Sequence, residues 1–109
     1  IVMPNNYKNA LLDLTTTGVT TLYTCPGATT ALVKSILVSE DSGNADTITV
    51  TITDADAAVF SIFKVKAVAS NTTVELLSEP LVVTENQLVK VNAATANRLH
   101  VVASLLEIS

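Results

Sequence analysis

Apolar and polar residues alternate one by one from Asp46 to Asp54, where Ile48, Val50 and Ile52 are interleaved with Thr47, Thr49, Thr51 and Thr53. A period of two puts one set on each face of a pleated strand, which predicts a half-buried strand with a threonine-lined outer face. Thr20 to Thr24 and Thr29 to Ser39 are two more strand segments. Between them lies Cys25-Pro26-Gly27-Ala28, where Pro fixes φ and Gly accepts a positive φ, so the pair forms a corner or a hairpin. Further apolar runs cover Val59 to Val68, Thr72 to Leu77, Leu81 to Thr84, Leu88 to Asn92 and Arg98 to Ile108. Each is bounded by polar or turn-forming residues, and the pattern predicts about eight short strands.

A helix competes over Ala31 to Val38, because Leu32, Val33 and Ile36 also fall at helical spacing. The rest of the chain favours strands. Sixteen Thr and fifteen Val dominate the composition, and β-branched side chains lose rotamer freedom in helices while fitting pleated sheets. Turn signals recur at Ser42 to Asn44, Ser70 to Thr72, Glu79-Pro80 and Glu85-Asn86. Short strands punctuated at this interval predict an all-β fold, a small antiparallel β-sandwich of jelly-roll or Greek-key type. No repeat of fixed period or linker interrupts it, so residues 1–9 are expected to be a flexible leader and residues 10–109 a single β-sandwich domain.

With 109 residues there is room for one core, and 49% hydrophobic against 15% charged residues supplies the material to build it. Six Lys and Arg against ten Asp and Glu give a net charge of −4, with no basic stripe to neutralise phosphates, so no nucleic-acid partner is expected. No stretch approaches the ~20 consecutive apolar residues of a membrane helix, and the start lacks signal-peptide order, so no membrane partner is expected either. The chain reads as a soluble protein made in the cytoplasm.

Chemistry has few footholds. The single cysteine, Cys25, has no disulfide partner, and with one histidine, His100, it cannot complete a zinc site. His100 sits in the run Leu99-His100-Val101-Val102-Ala103 with no acidic neighbour in sequence. A hydrolase built on it would need an acidic or nucleophilic side chain within hydrogen-bond reach. Gly18, Gly27 and Gly43 are too scattered to cradle phosphate. Asp41 and Asp46, beside Glu40, and Asp54 with Asp56 are the candidate oxygen ligands for calcium, though neither cluster has a recognised calcium-loop spacing and both suit strand-ending turns. Sugar-stacking aromatics are scarce: Tyr7, Tyr23, Phe60, Phe63 and no Trp. No catalytic residue, metal or cofactor is assigned.

The faces of two strands are more informative. In the last strand Leu99, Val101, Ala103 and Leu105 occupy one face, and Val102 and Leu106 share the other with His100 and Ser104. A strand apolar on both faces is central in its sheet or covered by another chain. Val59 to Val68 is similar, with Phe60 and Ile62 among its apolar residues. One small core cannot easily bury both faces of two strands, so Phe60, Ile62, His100, Val102, Ser104 and Leu106 are the candidate oligomer or docking interface.

Several segments also resemble a known group: Leu22-Tyr23-Thr24-Cys25-Pro26-Gly27-Ala28-Thr29-Thr30-Ala31, Val33-Lys34-Ser35-Ile36, Ser78-Glu79-Pro80-Leu81-Val82-Val83 and Ser104-Leu105-Leu106-Glu107-Ile108. Their order is similar to that of small virion-associated structural proteins of tailed bacteriophages, common in marine and cyanobacterial phages. In that group a TxPxGTTA strand-turn-strand opens the domain, a PLVL stretch follows its middle and an YLEI strand ends it. The resemblance spans about residues 20 to 109. It departs at Cys25, where Val is usual, at Glu85-Asn86-Gln87, where an acidic-Gly-Asp turn is usual, and at Leu106, where an aromatic is common. It implies a non-enzymatic part of the virion, a capsid decoration or cement protein that stabilises the shell as a dimer or trimer. Its partners would be copies of itself and the major capsid protein or tail proteins, with the leader ordering on the particle. The alternative is a tail or tail-fibre component that binds a host surface or glycan.

Overall fold

The computed structural model describes residues 5–108, and among them there are nine strands and no helix. The strands are Asn5–Asp13 (β1), Thr20–Thr24 (β2), Thr30–Glu40 (β3), Asp46–Thr53 (β4), Val59–Val68 (β5), Thr73–Glu75 (β6), Leu81–Val83 (β7), Leu88–Ala93 (β8) and Leu99–Ile108 (β9). They form two antiparallel sheets. The first has the order β1-β9-β3-β6, with β7 also on β3, and the second the order β2-β8-β4-β5. Only β4 and β5 form a hairpin with each other, and nearly every other connection crosses between sheets, which is jelly-roll connectivity. The Cys25–Ala28 segment is thus a corner carrying the chain from β2 in one sheet to β3 in the other.

The inner faces meet in a core of Ile36, Val38, Ile48, Val50, Val91, Leu99, Val101 and Leu105, each at most 2% exposed, together with smaller side chains. In β4 Ile48 and Val50 are fully buried as expected, but the alternation breaks past the register shift after Val50, where Ile52 is half-buried and Thr53, expected on the outer face, is buried. In β3 the buried set changes phase, from Ala31 and Val33 to Ile36 and Val38. The cause is a register shift against β9 between Val33 and Ser35, which inserts Lys34 as an extra residue. That shift also produces the Val33-to-Ile36 spacing that resembled a helix.

Asn5 to Asn9, assigned to a flexible leader, belong to β1 and pair with Ser104 to Ile108, so the ordered domain starts before residue 10; residues 1–4 lie outside the described residues. The strand count rises to nine for that reason. β6 and β7 are two halves of one edge strand laid along successive stretches of β3, Ser39 to Leu37 and then Val33 to Ala31. The chain leaves β3 between them, at the segment containing Pro80, which has no N–H for a ladder. Glu75 repairs the gap: its carboxylate accepts from Ile36 N–H at 2.9 Å and Leu77 N–H at 3.2 Å, while Leu76 N–H donates to the Ile36 carbonyl at 2.9 Å.

Candidate functional site

Register places a banded pattern on the outer face of the first sheet. Tyr7, Leu106, Leu32 and Val82 lie side by side across β1, β9, β3 and β7 as one apolar rung. Leu11, Val102 and Leu37 form a second across β1, β9 and β3. Between them runs a polar row of Asn9, Ser104 and Ser35, and beyond the second rung comes Asp13, His100 and Ser39. Tyr7 is 76% exposed, Leu11 68%, Val82 53% and Leu37 37%, so the bands present much apolar surface to solvent. Lys34, the inserted residue of β3, holds its ammonium 5.5 Å from the centroid of the Tyr7 ring, above the central strand.

Four of the candidate interface residues therefore gather on this face: His100, Val102, Ser104 and Leu106, all from β9, the strand enclosed by β1 and β3. Phe60 and Ile62 do not join them. They lie on β5, an edge of the other sheet, where Phe60 is 58% exposed and Ile62 packs half-buried against the core. β5 shifts register twice against β4, and Val65 there has φ of 54°, a backbone region hostile to a β-branched residue. Its N–H donates to Thr49 Oγ1 at 3.1 Å instead of to a regular ladder partner.

His100 has acidic neighbours that its local sequence did not reveal. Nε2 lies 3.2 Å from Asp13 Oδ1, supplied by β1, and Nδ1 lies 3.7 Å from Asp41 Oδ2, supplied by the turn after β3. Both ring nitrogens thus face carboxylates, an arrangement that suits an ion pair on the sheet surface. Ser39 lies opposite His100 in register on β3, whereas Cys25 is buried in the core and lies off this face.

The other carboxylates serve turns. Asp46 is buried and accepts from Thr47 N–H at 2.8 Å and Thr95 N–H at 3.1 Å. Asp54 accepts from Gln87 Nε2 at 2.8 Å, a bond that holds its carboxyl below the usual range, and Asp56 accepts from Ala58 N–H at 3.2 Å. Among the described residues no three of His, Cys, Asp and Glu converge as metal ligands. Glu40, grouped by sequence with Asp41 and Asp46, is only 2% exposed. Its carboxylate accepts from Ser42 N–H and Oγ, Gly43 N–H, Asn44 N–H and Asn71 N–H, at 2.5 to 3.3 Å. Burial pushes its pKa up, but these donors together outweigh burial and bring it down to about 2.

At the opposite end of β9, Glu107 faces inward and accepts a hydrogen bond from the Tyr23 hydroxyl of β2, while Lys8 Nζ of β1 lies 3.0 Å from its other oxygen. This carboxylate ties the two sheets together. The Tyr23 bond holds Glu107 below the ordinary carboxyl range, and burial followed by that same bond pushes the Tyr23 phenol up. Cys25, fully buried beside them, has its thiol pushed up by burial, the opposite of an activated nucleophile.

No family model matches the chain, and no curated protein matches it. Solved structures do. A chain from the Bacillus endospore appendages, described as disulfide-linked pili, superposes with a TM-score of 0.60 at 10% identity, covering 99% of this chain and 90% of the other. A chain from the acidic stable capsid of Helicobacter pylori bacteriophage KHP30 gives 0.55 at 19% identity over 99% and 90%. A chain from the cyanophage Pam1 capsid asymmetric unit gives 0.45 at 20% identity over 97% and 85%, a looser superposition that bears on neither fold nor function. At the identities of the first two, the shared property is the fold.

Proposed function

We propose that this chain is a non-enzymatic structural component of a bacteriophage virion, a decoration or cement protein that docks on the capsid through the outer face of its first sheet. The observation that carries the reading is the banded face itself. Two apolar rungs, separated by serine and asparagine and edged by the Asp13–His100 pair, give a flat surface with apolar area to bury and polar groups to fix register. The chain's fold is shared with a phage capsid chain over nearly its whole length, which supports the assignment without specifying a decoration role. The pilus neighbour supports a structural role as well. A disulfide-linked assembly is not available through this sequence's one cysteine, because Cys25 is buried.

Docking of many copies stabilises a shell by mass action, since each bound copy favours the assembled state. The test is quantitative mass spectrometry of density-purified particles of the encoding phage, with Val102→Asp as the companion variant. Copies approaching those of the major capsid protein support a decoration protein, and a few dozen indicate a tail or tail-fibre component instead. Absence from the particle refutes both. Val102→Asp should keep a native circular dichroism spectrum and lose particle binding, because Val102 belongs to the outer face.

A further inference from the structure

The sandwich has four open sheet edges, and the chain blunts three of them. β2 has five residues and a register shift between Thr21 and Tyr23. β5 is shifted twice, carries Lys64 and Lys66, and bends at Val65. β6 and β7 are three residues each, broken apart before Leu81. All of these are devices that stop a sheet from pairing with another chain. β1 has none. Its nine residues pair with β9 without a shift, it contains no proline, and among the described residues its outer edge pairs with nothing.

We infer that β1 pairs antiparallel with β1 of a second copy, forming a twofold dimer whose first sheets join into one continuous sheet. The sequence of β1 is complementary to itself. Its midpoint is Asn9, and a twofold axis there pairs the whole strand, from Asn5 against Asp13 of the second copy through to the reverse. Tyr7 then faces Leu11 of the second copy, and Leu11 faces its Tyr7, so the most exposed large apolar side chains on the sheet cover one another. Lys8 faces Ala10 and is already neutralised by Glu107, so no like charges stand opposite. The rungs also become continuous. Val82, Leu32, Leu106 and Tyr7 of one copy run on into Leu11, Val102 and Leu37 of the other. One copy's rung is thus completed by the other's different rung, which only the Asn9-centred register achieves.

The test uses the full chain in sedimentation velocity from one to a few hundred micromolar, with Tyr7→Lys/Leu11→Lys and Val59→Lys as variants. All three altered residues are more than half exposed, so the fold should survive each change. The expected result is a dimer for the parent and for Val59→Lys, with dimer affinity reduced at least tenfold in the β1 variant. Register is tested by oxidation: Asn9→Cys should form an intermolecular disulfide, since antiparallel partners lie within disulfide reach, and Asn5→Cys should not. A parent that stays monomeric or forms trimers overturns the inference, as does Asn5→Cys crosslinking as fast as Asn9→Cys. Particle mass spectrometry addresses the virion assignment separately, so a dimer absent from particles would sink that assignment and leave this inference standing.

Discussion

Val101 and Val102 are the same residue type, adjacent on one strand, and face opposite ways: Val101 is 1% exposed in the core, whereas Val102 is only partly exposed in the second rung. Replacing each in turn with Ala keeps the strand, the residue type and the substitution the same, so the difference reports the surroundings of the two faces. At Val101 the removed methyl groups lose about 1.6 kcal/mol of transfer free energy, at ~0.8 kcal/mol for each buried group. The space left behind adds about 1 kcal/mol more, at ~24 cal/mol per Å³ for roughly 40 Å³. At Val102 the transfer loss is about three quarters as large and no closed cavity forms, which leaves about 1.2 kcal/mol. The difference between the variants is therefore about 1.4 kcal/mol. The assay is urea unfolding followed by circular dichroism, at concentrations low enough to keep the chain monomeric. The Val101→Ala midpoint should fall roughly 1 M below that of Val102→Ala for a slope of about 1–2 kcal/mol per M. The corresponding melting temperatures should differ by roughly 10 °C. Equal midpoints, or a larger loss at Val102, would refute the assignment of the two faces of β9.

Glu40 should shape the acid limb of stability. Its pKa is lowered from 4.5 to about 2 in the folded state, so its contribution is complete above about pH 4.5 and is lost as pH falls through about 2. Glu40→Gln should therefore flatten the decline in melting temperature over that window; an unchanged acid limb would show that the turn does not depend on the charge. Tyr23→Phe removes the hydroxyl that holds Glu107 and leaves a nearly buried carboxylate with Lys8 as its remaining partner. A loss of about 1–3 kcal/mol is expected in chemical denaturation, and a double-mutant cycle with Glu107→Gln should recover part of it as coupling.

Sequence made most strands legible because their signal is local. β2 and β5 have the bounds that the apolar runs suggested, and the phases of β9 and of β4 as far as Val50 follow directly from alternation. β1 was hidden because Asn5-Asn6-Tyr7-Lys8-Asn9 is polar around a lone aromatic, and its strand state derives from pairing with β9 at the far end of the chain. The candidate face was legible only in its β9 column. Tyr7, Leu11, Leu32, Leu37 and Val82 join it through register, which no single segment encodes. The same holds for Asp13 and Asp41 beside His100. Glu40 resembled another solvated turn acid, and its burial follows from the number of backbone N–H groups that converge on it from two separate turns.

β9 lies between β1 and β3, yet of the nine strands it is the last to leave the ribosome. Before residues 99–108 exist, β1 has no neighbour, β3 lacks one side, and Val102 and Leu106 are missing from both bands. Folding of the first sheet must therefore wait for synthesis to pass β9, and closing so wide a loop makes it a slow, all-or-none event. An interrupted translation product can display neither the banded face nor an anchored β1. The surface thus reports that synthesis has passed residue 108.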